Sequence, residues 1–340
     1  MSHPIIKILP LGMPWPTPDP FLFCVHHNDH YPAGNSRMAP DTSLLAGREM
    51  GNDFSGRDGW SMYHGREVPG FPQHPHCGFE TITIARRGYI DHSDSTGAAA
   101  RFGQGDVQWM TAGGGVVHSE MFPLVHADRP NHAELFQIWL NLPRADKSVE
   151  PYFTMFWADQ IPNLQHRDTE GRLTQVSVVA GNYAGQVAPP PPPNSWASKA
   201  QADLAIYTLR LEPGARFTLP AAKAGTNRTL YFFAGQSVAV AGTAIDRHCA
   251  LVVDAAQALE LVNGSVESEL LMLQGRPIGE PVVTYGPFVG NTRVDIEDAF
   301  TRYRQTGFGG WPWPVDAPTH AREETRFARH GDGRIERPSK

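Results

Sequence analysis

Short runs of apolar residues alternating with polar ones, separated by turn residues, fill the chain from about Phe21 to Leu142. The runs include GFETITIARRGYI, DVQWM, VVHSEM and ELFQIWLNL, and the turns between them include DHSDSTG and GQGD. Runs of this length and spacing are typical of β-strands in a sandwich or a barrel. The long irregular segment from about Arg37 to Gly70 interrupts this pattern, and we interpret it as a loop near the mouth of a barrel.

The same pattern returns after Pro143. KSVEPYFTMFWADQIP is interpreted as a bridging segment, and it is followed by the strand-like runs TQVSVVA, LAIYTLRLEP, ARFTLP, TLYFFAG, QSVAVAG, ALVVD and SELLMLQG. The prolines from Pro189 to Pro193 predict a stiff, extended and exposed loop. These patterns predict an all-β protein with domains at residues 1–143 and 144–290, followed by a helix and tail at 291–340.

One segment near the C-terminus has helical periodicity. Within VDIEDAFTRYRQ, three apolar side chains fall on one helical face: Ile296, Phe300 and Tyr303. Thr292 and Asp295 occupy the positions of a capping box before it, and Gly307 is a stop signal after it. We expect this helix to dock on one of the barrels.

Composition narrows the class of protein. The chain has 340 residues, which leaves room for two domains, and its hydrophobic content of 41% is ordinary for a globular core. The 33 glycines and 30 prolines predict many turns and few long helices. A formal net charge of -6 argues against direct binding to nucleic acid, which requires neutralisation of phosphates.

Cysteine usage and hydropathy indicate the compartment. Cys24, Cys77 and Cys249 are too few and too scattered for a disulfide framework or a thiolate zinc cluster. The N-terminal residues lack the apolar stretch of a signal peptide, and no segment is apolar enough to span a bilayer. We therefore expect a cytoplasmic protein without a membrane partner. Acidic residues dilute the arginines of the tail, which we interpret as solvated or packed back on the body.

Two short patterns, His74-Pro75-His76 and His118-Ser119-Glu120, carry the candidate chemistry. Residues two apart on a β-strand point to the same face, so each pattern directs two ligand-type side chains to one side. If the two strands are neighbours, three imidazoles and a carboxylate converge, and this donor set suits a divalent transition metal. Residues 144–290 contain no His-x-His and only His166 and His248, so only the first half is expected to hold the metal.

For nine other histidines we keep the simpler interpretation of a packed or surface imidazole. They are His26, His27, His30, His64, His92, His126, His132, His166 and His248. The run from His26 to His30 precedes a proline-glycine turn, and we interpret it as loop rather than as a ligand cluster.

Glu80 is a rival to Glu120 as the carboxylate ligand. It has the same parity as His74 and His76, so strand geometry does not exclude it. The carboxylate that is not a ligand is then available to orient a ligand histidine.

These motifs carry a family resemblance. HPHCGFETITI, followed by GQGDVQWMTAGGGVVHSEM and FQIWLNLP, resembles the pirin family, a bicupin branch of the cupin superfamily, and GPFVGNTRVDIEDAFTRYRQTGFG is similar to the family's closing helix. The resemblance implies two cupin-type, jelly-roll-like β-barrel domains with a C-terminal helix. It also implies one Fe(II) in the first barrel, held by His74, His76, His118 and Glu120, which decides against Glu80.

Two residues beside the metal motifs depart from the family pattern. Pirins usually have Arg where this chain has Cys77, and commonly Arg where it has Gly114, so a less positively charged site is expected here. Cys77 has the opposite strand parity to His76, and we expect a packed or accessible thiol rather than a fifth ligand. The three glycines from Gly113 to Gly115 indicate a tight turn or a close backbone approach, and they equally fit a crowded barrel corner.

The resemblance implies a quercetin 2,3-dioxygenase activity, in which O2 opens the ring of a flavonol or related enolic substrate and Glu120 takes up the substrate's proton. The alternative is a non-catalytic, iron-containing module that senses redox state and acts through a protein partner. A metal-dependent isomerase or hydrolase is a third hypothesis, because cupin barrels host many chemistries.

Overall fold

Strands make up most of the regular structure in the computed structural model, which describes residues 3–339. The first ten are β1 (Ile5–Pro10), β2 (Phe21–Tyr31), β3 (Gly70–His76), β4 (Phe79–Arg87), β5 (Tyr89–Asp94), β6 (Ala99–Gly103), β7 (Asp106–Thr111), β8 (Val116–Met121), β9 (Asn131–Asn141) and β10 (Tyr152–Phe156). The next eight are β11 (Asn163–Arg167), β12 (Leu173–Ala180), β13 (Asn182–Tyr183), β14 (Gln186–Val187), β15 (Ala205–Leu211), β16 (Arg216–Leu219), β17 (Asn227–Ala234) and β18 (Val238–Val240). The last eight are β19 (Thr243–Ile245), β20 (Cys249–Asp254), β21 (Leu259–Asn263), β22 (Ser268–Gly275), β23 (Val283–Tyr285), β24 (Phe288–Gly290), β25 (Phe327–Arg329) and β26 (Ile335–Glu336).

Helical structure over residues 3–339 consists of the α-helix α1 (Arg293–Thr306) and short 3-10 turns. The turns cover Thr42–Leu45, Arg57–Gly59, Arg144–Asp146, Trp196–Ser198 and Gly307–Gly309. The prediction of an all-β chain with a C-terminal helix is confirmed.

The chain forms two compact units that are not continuous in sequence. Unit 1 comprises Met1–Val25, Ile138–Asn141 and Asp159–Gly279, and unit 2 comprises His26–Gln137, Leu142–Ala158 and Glu280–Lys340. The predicted ranges 1–143, 144–290 and 291–340 are continuous, so they differ from these units at both ends of the chain. Strand pairing explains the difference, because β1 pairs with β20 and β25 pairs with β6.

Unit 1 is built on a seven-stranded sheet and a four-stranded sheet. Their strand orders are β1-β20-β17-β22-β15-β12-β11 and β16-β21-β18-β19. Both sheets contribute to one buried apolar cluster, which includes Leu209, Phe217, Leu230, Leu251 and Leu261. Alternating apolar side chains therefore fill the interior of this unit.

Unit 2 also brings two sheets together. A six-stranded sheet has the order β26-β25-β6-β5-β8-β3, and a five-stranded sheet has the order β10-β7-β4-β9-β2. Their shared apolar cluster includes Ile90, Phe102, Met110, Leu135 and Phe153. Polar residues replace apolar ones on β3, β5 and β8, where the candidate site lies.

Helix α1 begins and ends as its sequence predicts. The side chain of Thr292 accepts a hydrogen bond from the backbone N–H of Asp295, and Asp295 accepts one from the N–H of Thr292, which completes the capping box. Gly307 ends the helix with φ +55°. Phe300 packs on Phe288 with ring centroids 4.6 Å apart, so the predicted docking takes place within unit 2.

The segment between β2 and β3 has little regular structure, as predicted, but it is tightly held. The guanidinium of Arg48 donates to Asp53 at 2.9 Å and lies 3.4 Å from the ring centre of Trp60. Asp53 and Tyr63 exchange two backbone hydrogen bonds of 2.9 and 2.8 Å. A buried cation and a backbone bridge therefore give this long loop a defined shape.

Two interpretations of the sequence are wrong. Residues 26–30 are not a loop, because they lie within β2, where His27 and Asp29 follow each other on the buried face between Val25 and Tyr31. Tyr63 satisfies both residues, since its hydroxyl lies 2.8 Å from Nδ1 of His27 and donates to Asp29 at 2.7 Å. The bridging segment after Pro143 contains β10, which pairs with β7.

The C-terminal tail packs back on unit 2. Arg322 donates hydrogen bonds to the backbone carbonyls of Leu124 and Val125, and Arg326 forms an ion pair of 2.8 Å with Asp106. Over residues 3–339, no helix is long and apolar enough to cross a bilayer.

Candidate metal centre

The two candidate motifs lie on neighbouring strands. β3 and β8 pair antiparallel, with His74 opposite His118 and His76 opposite Val116. Directly opposed residues project to the same face of a sheet, so His74, His76 and His118 share one side of this strand pair. The expectation that the two motifs meet is confirmed.

Gly70 allows the start of β3 to approach β8 closely. It has φ +126°, and a Cβ at this position would lie 2.5 Å from the carbonyl oxygen of Glu120. Any larger residue would push the two strands apart where the carboxylate of Glu120 joins the site.

The imidazole nitrogens of the three histidines converge. One ring nitrogen from each of His74, His76 and His118 lies within 4.8 Å of the others, and Nε2 of His74 is 3.1 Å from Nε2 of His118. Adjacent ligands about 3 Å apart are what metal–nitrogen bonds of about 2.1 Å require. Over residues 3–339, this is the one group of three or more such side chains that close together.

The hydrogen bonding of His74 fixes which nitrogen faces its neighbours. Its Nδ1 donates to the carbonyl oxygen of Pro72 at 2.8 Å, because a carbonyl can only accept. Nε2 therefore carries the lone pair, and it faces His118. A backbone carbonyl that orients a histidine in this way is typical of metal sites.

Burial keeps the three imidazoles neutral. Desolvation lowers the pKa of His74 to about 4, and it lowers the pKa values of His76 and His118 well below the ordinary value. Each ring also lies near at least one other histidine, which opposes a positive charge further. Neutral imidazoles with facing lone pairs are the donors that a divalent transition metal binds, so the residues fit such an ion.

Glu120 lies beside the histidines on β8. Its Oε2 is 3.8 Å from Nε2 of His118 and accepts a hydrogen bond from Gln137 at 3.3 Å, whereas its Oε1 accepts one from Thr83 at 3.1 Å. Burial raises the pKa of Glu120, although the Thr83 hydrogen bond and nearby His92 oppose this. An anionic carboxylate in this buried position gains stability from a bound cation.

Glu80 occupies a different sheet. It lies on β4, where its Oε1 accepts hydrogen bonds from Thr111 at 2.7 Å and from the indole of Trp109 at 3.2 Å. β3 ends at His76, and Gly78 with φ +87° separates it from β4. The parity shared with His76 therefore does not carry over from one strand to the next.

Sequence reasoning did not place His92 near the site. It lies on β5 opposite Glu120, and its ring centre is 5.4 Å from that of His118. Its Nε2 is 3.0 Å from a carboxylate oxygen of Asp94, so it is a packed imidazole as expected. The i, i+2 spacing of His92 and Asp94 was the available signal in the sequence, but only the register of β5 on β8 brings this pair to the candidate ligands.

Cys77 and Gly114 lie together beside the histidines, and Arg302 of α1 contacts both. One guanidinium nitrogen donates to the carbonyl of Gly114 at 2.6 Å, and another lies 3.5 Å from Sγ of Cys77. Cys77 is only 4% exposed, and burial raises its pKa. The thiol is therefore packed. The guanidinium of Arg302, which comes from the C-terminal helix, places a positive charge beside Cys77 and Gly114, which carry none.

The three-glycine run makes both a turn and a close approach. The N–H of Gly115 donates to the carbonyl of Ala112 at 2.9 Å, which closes a turn. Gly113 has φ +50°, and a Cβ there would lie 2.1 Å from the carbonyl oxygen of Val149. Glycine is required at this position because the neighbouring backbone leaves no space for a side chain.

Comparison with known proteins shows the family to which the chain belongs. The Pirin family profile matches residues 34–140, and the Pirin C-terminal cupin domain profile matches residues 206–309. The chain belongs to the pirin family. It is 35% identical to a pirin-like protein of Caulobacter vibrioides over 239 residues, which cover 70% of this chain and 80% of that protein. It is 32% identical to pirin of Mus musculus over 259 residues, covering 73% and 81% of the two chains.

A solved structure supports the same fold for this pirin. A quercetin 2,3-dioxygenase from Acinetobacter baumannii superposes with a TM-score of 0.67 at 27% identity, over 86% of this chain and 87% of that one. The chain is therefore an all-β bicupin with a C-terminal helix, as the resemblance in its motifs implied.

Acidification is expected to destabilise the metal-free pirin between about pH 6.5 and pH 4. Burial lowers the pKa values of His27 and His74 to about 4, whereas unfolded histidines titrate near 6.5. The unfolded chain then binds protons that the folded chain does not, so each histidine removes about 2 kcal/mol of stability between pH 7 and pH 5.

Two carboxyl groups oppose this loss. Burial raises the pKa of Asp29 to about 6 and also raises that of Glu120, so both groups favour the folded state on acidification. Asp29 offsets about 1 kcal/mol over the same interval. The urea midpoint of metal-free protein should therefore be lower at pH 5 than at pH 7, and an equal or higher midpoint would contradict the prediction.

Proposed function

We propose that this pirin is an iron-dependent dioxygenase of the quercetin 2,3-dioxygenase type, which opens the ring of a flavonol or a related enolic substrate. Both atoms of O2 enter the ring-opened product, and one carbon leaves as carbon monoxide. The proposed ligands of Fe(II) are His74, His76, His118 and Glu120. The convergence of three neutral imidazoles is the observation that carries the proposal.

A bound divalent iron would act as a Lewis acid, lowering the pKa of the substrate hydroxyl, and as a redox centre for O2. The chain's own residues supply orientation and a proton acceptor. Pro72 fixes the tautomer of His74, so its lone pair is directed inward without rearrangement. Glu120 is the proposed base, because burial raises its pKa and makes its carboxylate a better proton acceptor at neutral pH.

Two hydrogen-bond donors hold the proposed base. Thr83 lies 3.1 Å from Oε1 of Glu120, and Gln137 donates to Oε2. Both donors come from the five-stranded sheet, whereas Glu120 itself lies on the six-stranded sheet. The carboxylate is therefore fixed across the interior of unit 2, as a proton acceptor in a defined geometry must be.

Oxygen uptake is the direct test. Protein loaded with Fe(II) under anaerobic conditions is mixed with quercetin and O2, and oxygen consumption, carbon monoxide release and metal content are measured together. Uptake that scales with bound iron and disappears in Glu120→Ala supports the dioxygenase. The same histidines accept Mn, Co, Ni, Cu and Zn, so each metal is tested separately.

The binding and redox-sensing hypothesis predicts a different result. Protein with one iron per chain then consumes no oxygen with any flavonol, while oxidation of the iron changes affinity for a protein partner. Turnover without oxygen consumption would instead indicate an isomerase or a hydrolase.

Conservative substitution separates the two candidate carboxylates. Glu120→Gln is expected to lower metal affinity at least tenfold, because a neutral amide replaces an anionic ligand. Glu80→Gln keeps an oxygen that accepts from Thr111, and it is expected to leave metal content unchanged. Metal content after dialysis against a weak chelator measures both variants. Loss of metal in Glu80→Gln together with retention of metal in Glu120→Gln would indicate that Glu80 on β4 is the carboxylate ligand.

A further inference from the structure

Three aromatic rings form a continuous surface beside His74. We call Phe54, His64 and Phe71 the aromatic wall. The ring centres of Phe54 and His64 are 5.1 Å apart, and those of His64 and Phe71 are 5.7 Å apart, both in edge-to-face arrangements. The ring of Phe71 in turn lies 6.3 Å from that of His74. The wall therefore extends from the loop surface to a proposed metal ligand.

The wall faces solvent on one side. Phe54 is 43% exposed, His64 is exposed, and Phe71 and His74 are partly buried. Isolated exposed aromatic residues are common on proteins and need no explanation. A run of aromatic rings that leads from solvent to buried metal-type ligands is different, because it leaves apolar area open at the edge of a reactive site.

The backbone holds the wall in a fixed position. Asp53, which precedes Phe54, and Tyr63, which precedes His64, exchange two backbone hydrogen bonds. The N–H of His64 donates to the carbonyl of Gly70 at 3.1 Å, and its Nδ1 donates to the carbonyl of Gly51 at 2.9 Å. A mobile loop tip does not have such contacts, so the rings are presented in advance of binding.

Buried side chains also hold the aromatic wall in position. The ring of Tyr63 stacks on Phe71 with centres 5.2 Å apart, and its hydroxyl donates to Asp29. Arg48 donates to the carboxylate of Asp53, and both side chains are buried. The exposed position of Phe54 is therefore supported by buried polar contacts, some within the segment between β2 and β3 and one to Asp29 of β2.

We propose that the aromatic wall binds a planar aromatic ring of the substrate and directs the substrate's ring oxygens toward the site of His74, His76, His118 and Glu120. The inference rests on the proposed function and specifies its substrate class as a multi-ring aromatic enol, as distinct from a small aliphatic one. Edge-to-face and offset-stacked contacts with Phe54 supply the selectivity. Phe54 is a specificity-determining residue in this proposal and not a catalytic one.

Ligand binding by metal-loaded protein tests the wall. Two probes are compared: quercetin, which has aromatic rings, and acetohydroxamate, which chelates metals through two oxygens without a ring. Phe54→Ala is expected to raise the Kd for quercetin about fivefold to tenfold. The same variant is expected to keep the Kd for acetohydroxamate and the metal content of the unaltered protein.

Two variants serve as controls. Leu44→Ala removes a side chain that is 44% exposed on the same segment, and it is expected to leave the Kd for quercetin unchanged. Phe54→Tyr keeps the ring and is expected to restore quercetin binding to within twofold. Equal Kd values for quercetin in Phe54→Ala and the unaltered protein would overturn the proposal, as would an unaltered protein that binds acetohydroxamate but not quercetin.

Oxygen uptake and quercetin binding respond differently to loss of the aromatic wall and to loss of dioxygenase activity. If the protein consumes oxygen with quercetin and the KM for quercetin is the same in Phe54→Ala, the dioxygenase activity is supported and the binding role of the aromatic wall is contradicted. If quercetin binding depends on Phe54 but no oxygen is consumed, the binding role of the aromatic wall is supported and the dioxygenase activity is contradicted.

Discussion

His118→Ala is expected to abolish metal binding and any metal-dependent turnover together. His118 lies opposite His74 in the register of β3 on β8, and its Nε2 is 3.1 Å from that of His74 and 3.8 Å from a carboxylate oxygen of Glu120. Its removal takes away one of the three nitrogen donors and leaves only His74, His76 and Glu120 as proposed ligands. Loss of one of four ligands lowers affinity by much more than the 10–100-fold typical of supporting residues.

Metal content and stability are measured on the same samples. His118→Ala should contain less than a tenth of the metal of the unaltered protein, and added metal should no longer raise its melting temperature. His166→Ala is the matched control, because His166 is exposed on β11 of unit 1. A His118→Ala protein that still binds one metal per chain, or that turns over quercetin without metal, would refute the proposed centre.

Arg101→Met is expected to destabilise unit 2 by about 3–5 kcal/mol. Arg101 and Asp91 are 1% and 0% exposed, and they form two parallel hydrogen bonds of 2.7 Å. Arg101 also donates to the carbonyls of His320 and Ala321, so it joins the C-terminal tail to the strand pair β5–β6. Without the guanidinium, the carboxylate of Asp91 remains buried and has no cation beside it. An uncompensated buried charge strongly destabilises the folded state.

Calorimetry and proteolysis measure this effect. A loss of that size lowers the melting temperature of a unit of this length by about 10 °C, and the tail after residue 320 should be cleaved faster. Arg37→Met removes the cation of an exposed pair with Glu67, and it should change the melting temperature by less than 2 °C. Adding Asp91→Asn to Arg101→Met should recover part of the stability. An Arg101→Met protein that melts like the unaltered one would contradict the prediction.

The features that the sequence predicted correctly depend on short-range geometry. The period of two in His74-Pro75-His76 and His118-Ser119-Glu120 places each pair on one strand face wherever the strand lies. The capping box of Thr292 and Asp295 closes within one turn of helix. The irregular segment before Gly70 could be predicted because turn residues are frequent there and apolar and polar residues no longer alternate.

Strand β2 could not be predicted from the sequence, because polar residues occupy some of its buried positions. His27 and Asp29 interrupt the apolar alternation of β2, so the strand resembled a loop, although Tyr63 satisfies both of them. Tyr63 is more than 30 residues away, and no local pattern identifies it as their partner.

By itself, the sequence determined an all-β protein with metal-type ligands in its first half and a capped helix near its end. Only the tertiary structure decided which residues surround those ligands: His92 beside His118, Arg302 against Cys77 and Gly114, and Glu80 with Thr111 on the other sheet. The physical reason is the range of the interactions. Strand faces and helix caps are fixed by bonds between residues a few positions apart, whereas register and sheet packing join residues separated by tens to hundreds of positions.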